Sequence, residues 1–577
     1  MHRESSMAAV RELRELVWYL VVAGLLLGAA GVWAADEESP AVPSDVGFQE
    51  VVDVNLVNVD VYVRDGKGEP VTGLSGEDFV LLQDGERVKI SHFAEVTEEI
   101  VTTRFAASPP ALTPTPTPVE PSEIRIRPVW MILYIDNENL HPNSRTRVLR
   151  RVRQFVTETL KPPVQMMVVA NQGGLKVLQD FTDDPRAVNG ALRGAGKYAG
   201  GWLDRKSRRT ELIEEMRDVQ TSTSTQNQNS DNGPMGMYAR VMAHAREENN
   251  ALTFSLNALR QAIDALSGLR GRKMIIYVSN GLAMTPGLGL MHEYALVFKD
   301  NSILSNRARF DRQATFHSLT SVANSQEIVF YSLGAEGLEV NLGGDVDSMY
   351  ASDPTATRVG ASNFLGSLRY LAERTGGIAV VNTNDVSAGL QEIRSDLFTY
   401  YSIGFPVSSD EIDRVHKIKV ELASRKDVDL RYRNRFVEKS LETTIQDQVL
   451  SGLVLGVEDN PMGIRVDHGR PAPASGTLWT VPIRIFIPME KLVFLPRADD
   501  RVARGVLFFG SKDSQGGRSD LQRQRHELVA GPDDATDGNW TIELQLLMEE
   551  GGQRVVVAFL DEMTRDVSYS TLNLTVP

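Results

Sequence analysis

Cysteine is absent from all 577 residues. The absence excludes a disulfide framework, thiolate catalysis and a lipid-bearing cysteine, so an exported product would depend on packed cores. Positive charge is in deficit as well: 61 Lys and Arg face 76 Asp and Glu, a formal net charge of -15. A nucleic-acid protein normally presents a basic face to phosphates, so no nucleic-acid partner is expected. The basic cluster "RTRVLRRVR" from Arg145 has Val148, Val152, Phe155 and Val156 at helical spacing. That spacing turns its arginines onto a solvated face, an acidic partner or anionic lipid being the alternative use.

Signals of enzymatic chemistry are equally scarce. "HEYAL" at His292 lacks the second histidine of a zinc-protease helix, and "GAGKY" at Gly194 lacks the flanking residues of a phosphate loop. No G-x-S-x-G occurs, and the nine histidines are scattered. No motif supplies both a nucleophile and an oriented base, which leaves a hydrolase as the third choice behind a binding protein and a scaffold.

What is present is organised in blocks, and a prior of about 100 to 200 residues per unit suggests three or four of them. Basic Arg11 and Arg14 precede an apolar run from Leu16 to Trp33, then small residues and acid. Residues 1–35 thus read as a signal peptide cut after Ala34, or as an uncleaved N-terminal anchor. Either implies an exported product: a periplasmic or secreted protein, touching a membrane, if at all, through an inner-membrane anchor.

Residues 46–106 alternate apolar and polar positions between the turn signals "DGKG" and "QDGE", as in a small β domain. The phase of alternation changes at Leu56 and Val57, which suggests a bulge or a change of partners. About 60 residues is marginal for an independent core, and the strand-rich segment 400–438 is able to complete it. Between the two lie a stiff proline-rich linker, 107–122, and a long block, 123–399. In that block, apolar strands such as "VWMILYI", "QMMVVA", "KMIIYVS" and "EIVFYSL" alternate with amphipathic helices around 144–160, 238–269, 301–325, 363–374 and 386–397. Near-continuous apolar strands flanked by helices imply a doubly wound, Rossmann-like α/β domain covered on both faces. The polar stretch "QTSTSTQNQNSDNGPMG" has no periodicity and reads as a loop. After a boundary near 438–446, evenly spaced strands over 447–577 indicate a C-terminal β-sandwich.

Ligands of open α/β sheets gather at the carboxyl ends of the strands, where the winding reverses. There the chain offers "IDNEN" after the first strand and "VSNG" after the fourth to carry a ligand, giving Asp136, Asn137, Glu138, Asn139, Ser279 and Asn280 as candidates.

The strand ending in Asp136, the later "SNG" turn and the alternation of strands and helices resemble a von Willebrand factor type A domain. The order of "VNVDVYVRDGKGEPVTGLSGEDFVLLQDG", "LYIDNENL", "YYSIGF" and "HKIKVEL" is similar to the VWFA-related proteins exported by acidobacteria, over roughly Asp53 to Phe436. The resemblance implies a VWA-like domain flanked by β-sandwich domains, and a protein partner docking over the strand ends. It also implies a metal-ion-dependent adhesion site built from a D-x-S-x-S turn, a threonine and a second aspartate. Here the two serine positions hold Glu138 and Leu140, the second aspartate is Asn280, and Thr253 is a candidate for the threonine. A hard cation such as Mg²⁺ or Mn²⁺ wants about six oxygens. Asp136 and Glu138 are therefore the metal candidates of a degenerate site, with a metal-free binding turn and a plain structural strand end as alternatives. The rim would be "NENLHP", the 220–237 loop and "MTPGLGLMHEYALVF", the last forming an apolar contact patch or packing on its own domain.

Overall fold

The computed structural model describes residues 56–101, 127–198, 200–221, 233–337, 353–407, 412–423, 425, 427–456, 459–497, 500–514, 516–531 and 538–577. The export segment, the phase change before Val57, the proline-rich linker and residues 222–232 of the polar loop lie outside them. Among the described residues, no helix is long and apolar enough to cross a membrane.

The chain first lays down β1 (Leu56–Arg64), β2 (Phe79–Gln83), β3 (Glu86–Val88) and β4 (His92–Val96). Before β2, the Asp78 carboxylate accepts from both the backbone N–H and the hydroxyl of Ser75, each at 2.8 Å, so "SGED" forms a single capped turn. In β1, Val57, Val59, Val61 and Val63 point into one core. Tyr62 and Arg64 are also buried, on the other face, where Tyr62 joins the core of the α/β domain.

That domain runs through β5 (Val129–Ile135), α1 (Pro142–Thr159), β6 (Val164–Asn171), β7 (Leu175–Thr182), α2 (Pro185–Ala195), α3 (Trp202–Thr221) and α4 (Pro234–Ser267). It continues with β8 (Arg272–Ser279), α5 (Leu288–Phe298), α6 (Gln313–Ser325), β9 (Ile328–Gly334), α7 (Pro354–Thr375), β10 (Ala379–Val380) and α8 (Ser387–Phe398). The sheet order is β10-β9-β8-β5-β6-β7. All neighbours are parallel except β6 and β7, a hairpin whose turn uses Gly173 and Gly174 at φ 71° and 150°. Winding proceeds outward in both directions from the β5 and β8 pair, which is the topological switch point. One face packs on α1, α2 and α8, the other on α4, α6 and α7.

Returning from the α/β domain, β11 (Tyr400–Pro406), β12 (Val415–Leu422), β13 (Asp429–Tyr432) and β14 (Arg435–Val437) complete the first unit. Its two sheets have the orders β13-β1-β11-β4 and β14-β12-β2-β3, so each mixes strands from before and after the α/β domain. They share a core of the β1 valines with Phe79, Leu81, Ile403, Phe405, Ile418, Val420 and Phe436. The α/β domain is thus an insertion between two halves of one β unit. A buried carboxylate ties insert to host: Asp396 of α8 accepts from Arg64 at 2.6 Å, Arg431 at 3.0 Å and Tyr331 at 3.1 Å.

Where a boundary was expected from the sequence, the chain forms α9 (Leu441–Leu455), capped by Ser440, whose hydroxyl accepts from the Thr443 N–H at 3.1 Å. Ile445, Val449 and Leu453 recur at i, i+4 and bury one face against the last unit, while Ser451 donates to the Ala265 carbonyl of α4 at 2.9 Å. The expected strand unit from 447 therefore begins with a helix, and its strands start at Arg465. They build two sheets, β15-β17-β16 with β21 and β18-β19-β22-β23 with β20, where β15 to β23 are Arg465–His468, Ala472–Pro473, Leu478–Pro488, Leu495–Arg497, Asp500–Asp513, Gln522–Ala530, Asn539–Glu549, Gly551–Asp561 and Val567–Val576. Inward residues of both, among them Ile483, Ile485, Leu507, Val557 and Phe559, form one core.

Candidate functional site

Sheet register explains why the acidic turn is where it is. Ile135 of β5 lies opposite Ala170 of β6 and Val278 of β8. The next residue on each strand is therefore Asp136, Asn171 or Ser279, side by side at the carboxyl edge. Side chains alternate along a strand, so Tyr134, Tyr277 and these three share the face covered by α4.

The Asp136 side chain is only 1% exposed and its carboxylate is fully occupied. Oδ2 accepts from the Tyr277 hydroxyl at 2.5 Å and the Ser279 hydroxyl at 2.9 Å. Oδ1 accepts from Asn171 at 3.0 Å, and Asn139 Nδ2 lies 3.0 Å from both oxygens. Ser255 of α4 closes the ring, its hydroxyl accepting from Asn139 at 3.0 Å and Asn171 at 3.3 Å. Burial raises the Asp136 carboxyl above the ordinary carboxylate range, although the bonds from Tyr277, Asn171, Asn139 and Ser279 pull the other way. Burial and the neighbouring Asp136 charge lift the Tyr277 and Tyr134 hydroxyls well above theirs.

Glu138 faces elsewhere. Its carboxylate accepts from the Tyr198 hydroxyl and the Gly201 N–H, each at 2.9 Å, while Arg205 donates to the Glu138 carbonyl and, at 3.1 Å, to the Asn139 side chain. Asn137 is buried: its amide donates to the Ala195 carbonyl at 3.1 Å and accepts from Arg145 at 3.2 Å. Arg145 also holds the carbonyls of Gly196 and Tyr198, so one guanidinium fixes the segment lying over the turn. Gly200 passes so close that an added Cβ would overlap the Asn137 carbonyl. Gly200→Ala is expected to push this segment off the turn at a cost of about 2 kcal/mol, read as a lower denaturant midpoint of the α/β domain.

The structure brings Asp136, Asn139, Ser279 and Asn280 together and directs Asn137 and Glu138 to the 195–205 segment instead. Leu140, at a position where the resemblance places a hydroxyl, is a core residue at 1% exposure. Thr253 lies within α4 and bonds back to Asn249 on the exposed side; Ser255, two residues on, is the hydroxyl that reaches the network. "LGLMHEYALVF" is α5, with Leu290, Met291, Tyr294 and Val297 packed against α3 and α4, so it forms part of a core and not an exposed patch.

A divalent cation does not fit this donor set. The Asp136 oxygens face N–H and O–H donors, Glu138 is turned away, and among the described residues no group of three His, Asp or Glu side chains could hold a metal. Ser279 is fully buried, and among the described residues its hydroxyl bonds the Asp136 carboxylate and the Gly281 N–H. Asn280 is 5% exposed, and among the described residues neither its side-chain oxygen nor its nitrogen has a partner. Its backbone N–H bonds the Asn139 carbonyl at 3.1 Å, which joins the two turns across the switch point.

No family model matches the chain, and no curated protein matches its sequence. Among solved structures it is similar to the vWF domain of the type V pili tip protein Mfa5 from Porphyromonas gingivalis, at 12% identity, over 48% of this chain and 96% of that one, with a TM-score of 0.25. BatB from Bacteroides thetaiotaomicron is 12% identical over 47% of this chain and 97% of its own, TM-score 0.22. A von Willebrand factor type A protein from Catenulispora acidiphila is 10% identical over 55% and 68%, TM-score 0.22. What the structure itself shows of the inserted domain is a doubly wound sheet with its acidic turn at the switch point.

Proposed function

We propose that this is an exported interaction protein whose α/β domain docks another protein at the carboxyl edge of its sheet without a metal ion. The edge is read as a degenerate metal-ion-dependent adhesion site, and the flanking two-sheet units as β-sandwiches that carry it. The observation behind this reading is the pair of turns at the switch point, joined where the Asn280 N–H bonds the Asn139 carbonyl and held rigid by internal hydrogen bonds. Ligands of open α/β sheets gather at such an edge, and a rigid surface costs little to order on docking. Sealing of Asp136 replaces the cation: asparagine, serine and tyrosine donors supply what a metal would otherwise supply to the carboxylate.

The second reading, a scaffold with no ligand at this edge, draws on the same sealing of Asp136. The two separate by photo-crosslinking in cells, with the photoreactive residue at the exposed position 143 beside the turn and, as control, at 183 on the opposite edge. Discrete adducts from 143 alone support docking; adducts only between copies of the chain, or equal ones from both positions, favour the scaffold. Metal independence is tested separately. The melting midpoint is expected to agree within about 1 °C in Mg²⁺, Mn²⁺, Ca²⁺ or EDTA at equal ionic strength, because an ion that binds only the native state would raise it.

A further inference from the structure

At the other edge of the same sheet, where β8 begins, the β unit and the inserted domain enclose a small cleft lined by Asp60, Arg127, Arg272, Lys273, Glu327 and Arg433 with neighbouring backbone. Four cations meet two carboxylates there, and both carboxylates are already engaged. Asp60 accepts from Arg272 at 2.8 Å and from Arg127; Glu327 pairs with Arg433 at 2.9 Å. Arg272 is used completely: it also donates to the Leu397 carbonyl at 2.7 Å and the Tyr62 hydroxyl at 3.0 Å, and lies 3.8 Å from the Tyr400 ring centre. Arg433 donates to the Asn58 carbonyl at 2.6 Å. The nearby Lys439 and Asp447 satisfy each other at 2.6 Å.

Lys273 is the exception. It is 6% exposed and has no hydrogen-bond or ion-pair partner among the described residues. Lysine is almost never buried without a counter-charge, because desolvating an ammonium costs several kcal/mol unless something compensates it. We propose that this cleft binds one small monovalent anion of halide size, held by Lys273 between the β unit and the inserted domain. The size follows from the cleft, whose internal volume of about 30 Å³ has room for one or two water-sized particles. The charge follows from the lining, where four cationic side chains meet two carboxylates that are both paired with arginines. Burial, the main cause, lowers the Lys273 ammonium to about 8, and the attraction of the Glu327 carboxylate only partly offsets it. This inference does not depend on the docking function proposed for the far edge.

The test uses the whole chain at one ionic strength, with sodium chloride or bromide exchanged for sodium gluconate, a bulky organic anion. Wild type is expected to melt about 2 to 4 °C higher in either halide than in gluconate. Lys273→Met should lose that difference and, in gluconate, melt no lower than wild type, because the variant removes an uncompensated charge. An absent halide effect in wild type, the same effect in Lys273→Met, or stabilisation by phosphate in place of halide overturns the proposal. Should Lys273→Met fail to fold, anomalous scattering from wild-type crystals grown in bromide decides. A bromide within about 4 Å of the Lys273 ammonium supports the site, and an empty cleft refutes it.

Discussion

Asp136→Ala is expected to destabilise the inserted domain by about 3 to 5 kcal/mol, because truncation strands several buried donors at once. Tyr277, Ser279, Asn171 and Asn139 all direct hydrogens at this carboxylate, and Tyr277 and Ser279 are completely buried. Asp136→Asn should retain most of the stability. The amide keeps one acceptor oxygen, and the Tyr277 and Ser279 hydroxyls can rotate to accept from its nitrogen. Linkage points the same way. A carboxyl whose folded value lies above its unfolded value binds more protons when folded, so stability falls as pH rises between the two. Ionisation of Asp136 thus opposes folding in that window, and a neutral isostere removes the opposition. Denaturant melts of the three proteins, each in Mg²⁺ and in EDTA, provide the measurement. A cation site would give another pattern: wild type stabilised by the ion, and both variants insensitive to it.

Residues 48–105 produced alone are expected to be unfolded, whereas 121–398 should fold. Among the described residues, β1 pairs only with β11 and β13, and β4 only with β11, so of these pairings the fragment keeps the β2 and β3 hairpin. An isolated hairpin is at best marginal in water. The insert, by contrast, holds its own sheet and both covering layers of helices. Since Val96 sits opposite Tyr400, a short turn in place of residues 97–399 joins β4 directly to β11, and this closed β unit should also fold. Circular dichroism and amide shift dispersion report each outcome; a cooperative melt of 48–105 alone would remove the insertion argument.

Much of this was legible in the sequence. Alternation marked the β strands, apolar runs marked the parallel ones, and the "IDNEN" and "VSNG" ends were correctly brought to one edge. The partners of Asp136 were not legible, because they depend on register: Asn171 and Tyr277 qualify only once β6 and β8 are aligned with β5. Thr253 and Ser255 show the same limit on a helix, where two residues turn about 200° and place one hydroxyl outside and the other within. α3 was missed because its apolar residues form no clear stripe and only Leu212, Ile213 and Met216 are buried. α9 was legible from its spacing and serine cap, yet its position between two strand-rich blocks resembled a linker.

The insertion also determines how the protein would carry tension. Because the insert leaves and rejoins the β unit at neighbouring strand ends, a pull between Leu56 and the C-terminal unit runs through the hydrogen bonds of β1 with β11 and β13. The inserted domain hangs beside that path and not along it. The carboxyl edge of its sheet would keep its geometry under load until the β unit itself gave way, as a hook keeps its shape while its rope is taut.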